Sequence, residues 1–253
     1  MDVFFTDLDR TLIYSYKQEI GKEKRSVELY QGREISFMTE KTYRLLLEVK
    51  KWMCIVPVTT RTMEQYSRID LGIGPVRYAL VCNGGVLLID GKPEQPWYEQ
   101  SLRMVENSQE EMEQAVRYLE QEKSRNFEIR LIQNLFVFTR CQSPQEAVQR
   151  LTQALQPRTT DVFTNGEKVY VVPKKLNKGM AVARFAQYCG TGMSAAAGDS
   201  MFDLPMLARA DLAMAPAGYG QAGWRAGNIH EMAGENVFSE EMLEFLLERI
   251  CAN

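Results

Sequence analysis

Short, continuous apolar runs in the first third of the chain each end in polar residues or glycine. The runs cover residues 3–6, 54–58 and 78–82. The groups that follow them are Asp7-Leu8-Asp9, Thr59-Thr60-Arg61 and Asn83-Gly84-Gly85. The segments between the runs have helical periodicity, so predicted strands alternate with helices. Strands that are apolar throughout, in such an alternation, are typical of a parallel sheet covered on both faces. Ligands bind at the carboxyl ends of strands in such sheets, where all three polar groups are expected.

A segment of different character interrupts this pattern between residues 84 and 174. It predicts helix, hairpin, helix and hairpin in that order. Ser143 and Glu146 have the spacing of a capping box at the start of the second helix. Asn165-Gly166 is a strong turn signal for the second hairpin. We therefore predict an inserted α+β cap domain at 84–174 and a Rossmann-like α/β core formed by 1–83 and 175–253.

The alternating pattern returns after Pro173. It predicts helices at 178–188, 202–208 and 239–250, and strands near 194–197 and 211–214. One more hairpin is predicted outside the insert, from strands at 27–29 and 35–37 that flank Gln31-Gly32. This hairpin is expected to form a small flap after the first polar loop.

Composition excludes several classes of function. Apolar residues make up 45% of the 253 residues, enough for a sizeable core. The net charge of −3 gives no electrostatic footprint for nucleic acid, and no apolar stretch approaches the ~20 residues of a membrane span. The start of the chain lacks the basic residues of a secretion signal, and the five cysteines form no CxxC pair. These features predict a reduced, cytoplasmic protein.

The single histidine, His230, restricts the chemistry further. It rules out a metal site rich in histidine, and it would have to serve any Ser-His-Asp or Cys-His site. His230 lies beyond all the polar motifs, so a surface position or a helix start is expected. In an enzyme of this composition, carboxylates or lysine are expected to act as the general acid and base.

Four polar motifs follow one another at predicted strand or helix ends. They are Asp7-Leu8-Asp9-Arg10-Thr11, Thr59-Thr60-Arg61, Lys178-Gly179 and Gly198-Asp199-Ser200-Met201-Phe202-Asp203. In this order they resemble the motifs of the haloacid dehalogenase-like (HAD) superfamily, and an insert between the second and third motifs is typical of its type IIB, or Cof-like, members. Sucrose-phosphate, mannosyl-3-phosphoglycerate and trehalose-phosphate phosphatases share that layout. Arg10 and Thr60 stand where many members carry glycine.

Phosphate-ester chemistry explains the choice of residue types. An anionic nucleophile must approach an anionic phosphoryl group, so a divalent cation has to offset the repulsion, and hard oxygen ligands suit Mg²⁺. Asp7 is the expected nucleophile, with one oxygen for phosphorus and the other for the metal. The resemblance implies that Asp9 binds Mg²⁺ through its backbone carbonyl and acts as general acid and base through its side chain. Such a mechanism needs no histidine.

The resemblance also implies roles for the remaining motif residues. Asp199 would complete the metal site, and Asp203 would ligate the metal directly or hold a coordinated water. Lys178, Thr59 and Thr60 would bind the phosphoryl oxygens as charge shifts in the transition state, and Thr11 would orient the first loop. The expected protein is therefore a Mg²⁺-dependent phosphatase of a small phosphorylated metabolite, with sugar phosphates preferred.

Two alternatives stay open at this point. A phosphomutase would use the same pair, Asp7 and Asp9, but return the phosphoryl group to a sugar. A binding or regulatory protein would keep the fold without turnover, although the presence of all the catalytic acids argues against it. A dehalogenase has no use for Asp9 or for Mg²⁺. The sequence leaves the particular substrate and the oligomeric state open.

Overall fold

The computed structural model of the chain describes residues 1–223 and 227–251. Trp224, for which the sequence predicts a structural role, lies outside these residues. The chain forms two compact units, residues 1–94 together with 178 onward, and residues 95–177. No helix in the described part of the chain has the length and apolar content needed to cross a membrane.

The first stretch of the first unit contains eight strands and two helices. In chain order they are β1 (Val3–Thr6), β2 (Tyr14–Ser15), β3 (Lys24–Tyr30), β4 (Arg33–Thr39), α1 (Glu40–Trp52), β5 (Cys54–Pro57), α2 (Met63–Tyr66), β6 (Tyr78–Val81), β7 (Val86–Ile89) and β8 (Lys92–Pro93). Thr39 caps α1 by accepting a hydrogen bond from the Thr42 N–H.

The second unit and the return to the first unit supply the remaining elements. The second unit contains α3 (Gln95–Val105), α4 (Gln109–Glu120), β9 (Arg130–Ile132), β10 (Phe136–Arg140), α5 (Pro144–Leu155), β11 (Thr160–Asn165) and β12 (Lys168–Pro173). The chain then forms α6 (Lys178–Cys189), β13 (Ser194–Ala197), α7 (Leu204–Leu207), β14 (Leu212–Ala215), β15 (Ile229–Glu231) and α8 (Phe238–Cys251).

A five-stranded parallel sheet forms the centre of the first unit, in the order β15-β14-β13-β1-β5. Thr6, the last residue of β1, lies opposite Ala197 on one side and Pro57 on the other. The residues that follow these three positions therefore emerge at one edge of the sheet. The predicted α/β class is confirmed, and His230 lies exposed on the edge strand β15.

One predicted strand pairs differently from the expectation. β6 forms, but it pairs antiparallel with β7 in a separate sheet of order β6-β7-β8. An isolated parallel bridge between Leu80 and Val58 joins β6 to the end of β5. Cys82, Asn83 and Gly84 all have left-handed backbone angles, with φ of 53°, 58° and 85°. This turn reverses the chain, so β7 returns along β6 and stays with the first unit. The division after residue 94 consequently falls later than the sequence-based boundary at 84.

The second unit is an antiparallel sheet of order β11-β12-β10-β9 with its own core. Both predicted hairpins form. The second one turns at Gly166 and Glu167, because Asn165 is itself paired with Lys168. The predicted capping box at α5 is wrong, because the Ser143 side chain makes no capping hydrogen bond. The helix nevertheless begins directly after Ser143, with Pro144 in its first turn. Apolar side chains from α4, α5, β10 and β12 fill the core between helices and sheet.

The predicted flap hairpin forms from β3 and β4. Gln31 and Gly32 make its two-residue turn, and both have positive φ, 51° and 75°, as such turns require. The strand register shifts on either side of Glu28, which marks a β-bulge. Because a bulge re-aims the side chain at its position, Glu28 is buried directly after the buried Val27.

Candidate active site

The first polar loop leaves β1 as a tight turn. The Asp7 N–H donates to the Ala197 carbonyl at 2.9 Å, which continues the sheet pairing by one residue. The Leu8 carbonyl then accepts from the N–H groups of Thr11, Leu12 and Ile13 at 2.9 to 3.2 Å. Asp7 is thereby held at the carboxyl edge of the sheet, as predicted.

Lys178 joins two of the predicted acids. Its Nζ lies 2.6 Å from Asp7 Oδ1 and 2.5 Å from Asp203 Oδ1. The Lys178 side chain is 1% exposed, and those of Asp7 and Asp203 are 10% and 0% exposed. Burial lowers the pKa of Lys178, but the Asp203 and Asp7 carboxylates outweigh burial and raise it. The two carboxylates therefore favour the positively charged form of Lys178 in the site.

The loop after β13 is built around Asp203. Its Oδ2 accepts from the N–H groups of Asp199 and Ser200 at 3.2 and 2.9 Å, and from the Ser200 hydroxyl at 2.8 Å. A Cβ at Gly198 would lie 2.3 Å from the Asp203 Cβ, so only glycine fits there. Tyr219 donates to the Ser200 carbonyl at 2.9 Å and closes the loop from the other side. Asp203 thus folds the loop as well as facing Lys178.

Asp7, Asp199 and Asp203 form a carboxylate cluster suited to a cation. One carboxylate oxygen of each lies within 4.8 Å of the others. Asp199 Oδ2 is buried and has no hydrogen-bond partner among the described residues, although Arg10 Nε approaches it at 3.1 Å. Three hard oxygen donors with one unsatisfied atom fit Mg²⁺.

The electrostatics of the cluster agree with that fit. Burial, followed by repulsion from Asp203, raises the pKa of Asp199 to about 6. Burial also raises the pKa of Asp7 well above its usual value, Asp203 and Asp199 raise it further, and Lys178 opposes the shift. A bound divalent cation relieves this repulsion, so it favours the ionised carboxylates.

Asp9 is held by an arginine outside the carboxylate cluster. Its side chain is 51% exposed, and its two oxygens accept from Arg61 Nε and Nη2 at 2.8 and 2.7 Å. Such a two-point contact fixes the plane of the carboxylate. Burial lowers the pKa of the Arg61 guanidinium, but Asp9 and Glu28 outweigh burial and raise it.

The predicted threonines take different positions. Thr59 is buried, its N–H donates to the Leu80 carbonyl at 2.8 Å, and its hydroxyl accepts from the Arg61 N–H at 3.1 Å. Thr60 follows it and is half-buried. Thr11 is buried, and its hydroxyl has no hydrogen-bond partner in the described part of the chain. Its backbone takes part in the first loop, where Tyr14 donates to its carbonyl at 3.2 Å.

Two residues near the site escaped the sequence analysis. Arg61 belongs to a recognised motif but had no predicted role, and Glu28 fell at a polar position of an alternating strand. In the structure, Glu28 binds Arg61 Nη1 at 2.9 Å. An acid between two apolar residues of an alternating strand is expected on the solvent-facing side. The bulge that buries Glu28 instead has no mark in the sequence.

A parallel sheet with a lysine-bridged carboxylate cluster at its carboxyl edge defines an α/β protein with a candidate metal centre. The chain belongs to the haloacid dehalogenase-like hydrolases, because the model of that family matches residues 76–217. The resemblance drawn from the motifs is thereby confirmed. No curated protein sequence matches the chain significantly.

Solved structures of this superfamily share the fold over nearly the whole chain. The sucrose-phosphatase of Synechocystis sp. PCC6803, solved with sucrose and phosphate, is 14% identical with a TM-score of 0.71, covering 98% of this chain and 97% of that one. A sugar phosphatase of HAD subclass IIB is 15% identical with a TM-score of 0.63 and coverage of 98% and 100%. A phosphatase from Bacteroides thetaiotaomicron is 16% identical with a TM-score of 0.61 and coverage of 100% and 96%.

Proposed function

We propose that the protein is a Mg²⁺-dependent phosphatase that hydrolyses a small phosphorylated metabolite, with sugar phosphates as the preferred class. The observation that carries this proposal is the buried Lys178 ammonium between Asp7 and Asp203, beside the third acid Asp199. The sugar phosphatases among the structural neighbours support the choice of substrate class.

Asp7 is the proposed nucleophile. Its carboxylate attacks phosphorus, the bond to the leaving oxygen breaks, and an aspartyl-phosphate forms. Lys178 opposes the effect of burial on Asp7 and so favours its ionised form. Lys178 and the Thr59 hydroxyl are the proposed donors to the phosphoryl oxygens, with Thr60 beside them.

Asp9 is the proposed general acid and base. It gives a proton to the leaving oxygen while the aspartyl-phosphate forms. The resulting carboxylate then takes a proton from water, the hydroxide attacks phosphorus, and phosphate leaves with Asp7 restored. The proton count balances over one cycle, since Asp9 ends protonated as it began. No histidine takes part, in agreement with the single exposed His230.

Asp7, Asp199 and Asp203, together with the Asp9 backbone carbonyl, are the residues that would hold Mg²⁺. The ion, when bound, supplies positive charge that offsets repulsion between the carboxylates and the phosphoryl group. Thr11 is proposed to orient the loop that carries Asp7 and Asp9. The protein residues perform the nucleophilic and proton-transfer steps.

Substitution of the nucleophile tests the proposal. Asp7→Asn keeps the shape of the side chain but removes the attacking carboxylate, so phosphate release from 4-nitrophenyl phosphate in the presence of Mg²⁺ is expected to fall at least about a thousandfold. Asp90→Asn is the matched control, because Asp90 is exposed at a left-handed turn position, with φ of 49°, that asparagine also accepts. Retained activity in Asp7→Asn would overturn the assignment of the nucleophile.

A screen of phosphorylated metabolites, each with Mg²⁺ and with EDTA, then identifies the substrate. Phosphate release from a hexose or disaccharide phosphate, lost in EDTA, is the expected result. A requirement for a sugar bisphosphate, with isomerised sugar phosphate as the product, would instead indicate a phosphomutase.

A further inference from the structure

Glu28 is a buried acid on the flap hairpin rather than on any of the four motifs. Its side chain is 1% exposed. Oε2 accepts from the Ser36 hydroxyl at 2.6 Å, and Oε1 lies 2.9 Å from Arg61 Nη1 and 3.3 Å from Arg68 Nε. The β-bulge at Glu28 turns this carboxylate towards the two arginines and away from the solvent face of β3.

Arg61 uses opposite edges of its guanidinium for two acids. Nε and Nη2 bind Asp9, whereas Nη1 binds Glu28 and lies 3.5 Å from the Gln65 carbonyl. A capping box between Thr62 and Gln65 fixes that carbonyl at the start of α2. The guanidinium is therefore anchored on its inner edge and presents its outer edge to Asp9. Because the group is planar, fixing Nη1 also fixes the direction of Nε and Nη2.

A role limited to stability does not account for this arrangement. Arg68 alone neutralises Glu28, and its guanidinium also stacks on the Tyr30 ring at 4.5 Å. Adding Arg61, whose side chain is 13% exposed, places a second cation beside the same buried carboxylate. Ion pairs of a buried charge contribute little net stability, because desolvation offsets the attraction. What the second pair does contribute is geometric: it connects a 1% exposed carboxylate to the 51% exposed carboxylate of Asp9.

We propose that Glu28 is a positioning residue for the phosphatase reaction, which holds Arg61 so that Arg61 orients the Asp9 carboxylate towards the leaving oxygen of the substrate. This inference rests on the proposed function, in which Asp9 is the general acid and base. Glu28 itself touches neither substrate nor reacting atoms. The flap thereby contributes to proton transfer, although none of the four motifs lies on it.

The dependence of rate on the leaving group tests the proposal. Glu28→Gln keeps the shape but removes the charge that anchors Arg61. The leaving group of phenyl phosphate is phenolate, a strong base that needs a proton to depart. The leaving group of 4-nitrophenyl phosphate is 4-nitrophenolate, a weak base that departs readily without a proton. The variant is expected to lower kcat/KM for phenyl phosphate about tenfold more than for 4-nitrophenyl phosphate, a fraction of the usual contribution of a general acid. We choose kcat/KM because it covers the steps up to departure of the leaving group.

Arg68→Gln is the matched control. It removes the other ion pair of Glu28 but leaves the Arg61–Asp9 contact in place. A lower Tm with an unchanged ratio of the two kcat/KM values is expected for this variant. An equal loss of kcat/KM for both esters in Glu28→Gln, which leaves their ratio unchanged as in Arg68→Gln, would mean that Glu28 acts only through stability, and it would overturn the positioning role.

A double variant identifies the residue through which Glu28 acts. In an Asp9→Asn background the general acid is already absent, so adding Glu28→Gln is expected to leave the ratio of the two kcat/KM values unchanged. A further tenfold change there would exclude Asp9 as the target. Failure of the proposed function is distinguishable, because the unmodified protein would then release no phosphate from either ester, whereas an active protein insensitive to Glu28→Gln contradicts this inference alone.

Discussion

Arg10 adopts a strained backbone conformation and reaches a buried acid. Its φ is 64°, in the left-handed region that costs a residue with a side chain about 1 kcal/mol. Its side chain is 63% exposed, and its Nε lies 3.1 Å from Oδ2 of Asp199, whose side chain is 7% exposed. Arg10 stands where many members of the superfamily carry glycine, and a surface ion pair is the interpretation that the sequence favours over a contact with substrate. The structure shows an ion pair with a proposed metal ligand.

Arg10 and Mg²⁺ are therefore expected to compete for Asp199. Arg10→Gly removes the cation and suits the left-handed backbone, so we expect it to tighten Mg²⁺ binding about two- to fivefold, the range of a mostly exposed ion pair. Titration calorimetry with MgCl₂ at fixed ionic strength measures the effect. Arg10→Lys keeps the charge and serves as the control, and weaker binding by Arg10→Gly would show that Arg10 supports the metal site.

The residues of the site differ in how far the sequence predicts them. Asp7, Lys178, Asp199 and Asp203 converge as expected, because each follows a strand or begins a helix at the same edge of the sheet. Glu28 was missed, since its partner Arg61 is remote in sequence and only a bulge buries it. Local patterns predict which polar residues gather at one edge of the sheet, but they do not predict which buried charges are paired.

At the scale of elements, the turns decide how the strands pair. Every strand predicted from an apolar run is present, yet β6 pairs with β7 because the turn at 82–84 has left-handed angles that reverse the chain. A single run of apolar residues looks the same in a parallel and an antiparallel strand. The local sequence thus determines whether a segment forms a strand, whereas the strands it pairs with depend on turn geometry and on the rest of the sheet.

The side chain of Glu111 links helix α4 to the segment at the start of β11 by hydrogen bonds. Its carboxylate accepts from the N–H groups of Arg158, Thr159 and Thr160 at 3.0 to 3.1 Å and from the Thr160 hydroxyl at 2.8 Å. Burial raises the pKa of Glu111, but these hydrogen bonds outweigh burial and lower it. A carboxyl group with a lowered pKa in the folded state adds stability above its unfolded pKa, about 4.3, and loses that contribution as the pH falls through the folded value.

Glu111→Gln is expected to reduce the free energy of unfolding by about 1 kcal/mol at pH 7, because the amide replaces one acceptor oxygen with a donor. The difference from the unmodified protein is expected to shrink as the pH falls below about 4.3, where the unfolded state takes up the proton first, and to be lost once the pH falls through the lower pKa of the folded state. Urea unfolding monitored by circular dichroism at several pH values measures both effects. Glu113→Gln, at an exposed position of the same helix, is the control, and a difference independent of pH would contradict the role of the charge.

At the scale of the whole molecule, each unit has its own core. The first unit packs α1 and α8 against the parallel sheet, and the second packs α4 and α5 against its antiparallel sheet. The order of the two architectures along the chain was predictable because the apolar pattern changes from continuous to alternating. The boundary at which the second unit begins was less predictable, because the pairing of β7 with β6 keeps residues 86–89 in the first unit.

Binding of Mg²⁺ to the carboxylate cluster is expected to stabilise the full chain. A ligand that binds only the folded state adds about 2.7 kcal/mol at one hundred times its dissociation constant, which raises Tm by roughly 5–10 °C for a protein of this size. Thermal unfolding with MgCl₂, and with NaCl at matched ionic strength, measures the shift. In EDTA, Asp199→Asn is expected to keep or raise Tm because it removes repulsion within the cluster, and its Tm should not respond to Mg²⁺. An equal response to Mg²⁺ in both proteins would place the bound ion elsewhere than at Asp199.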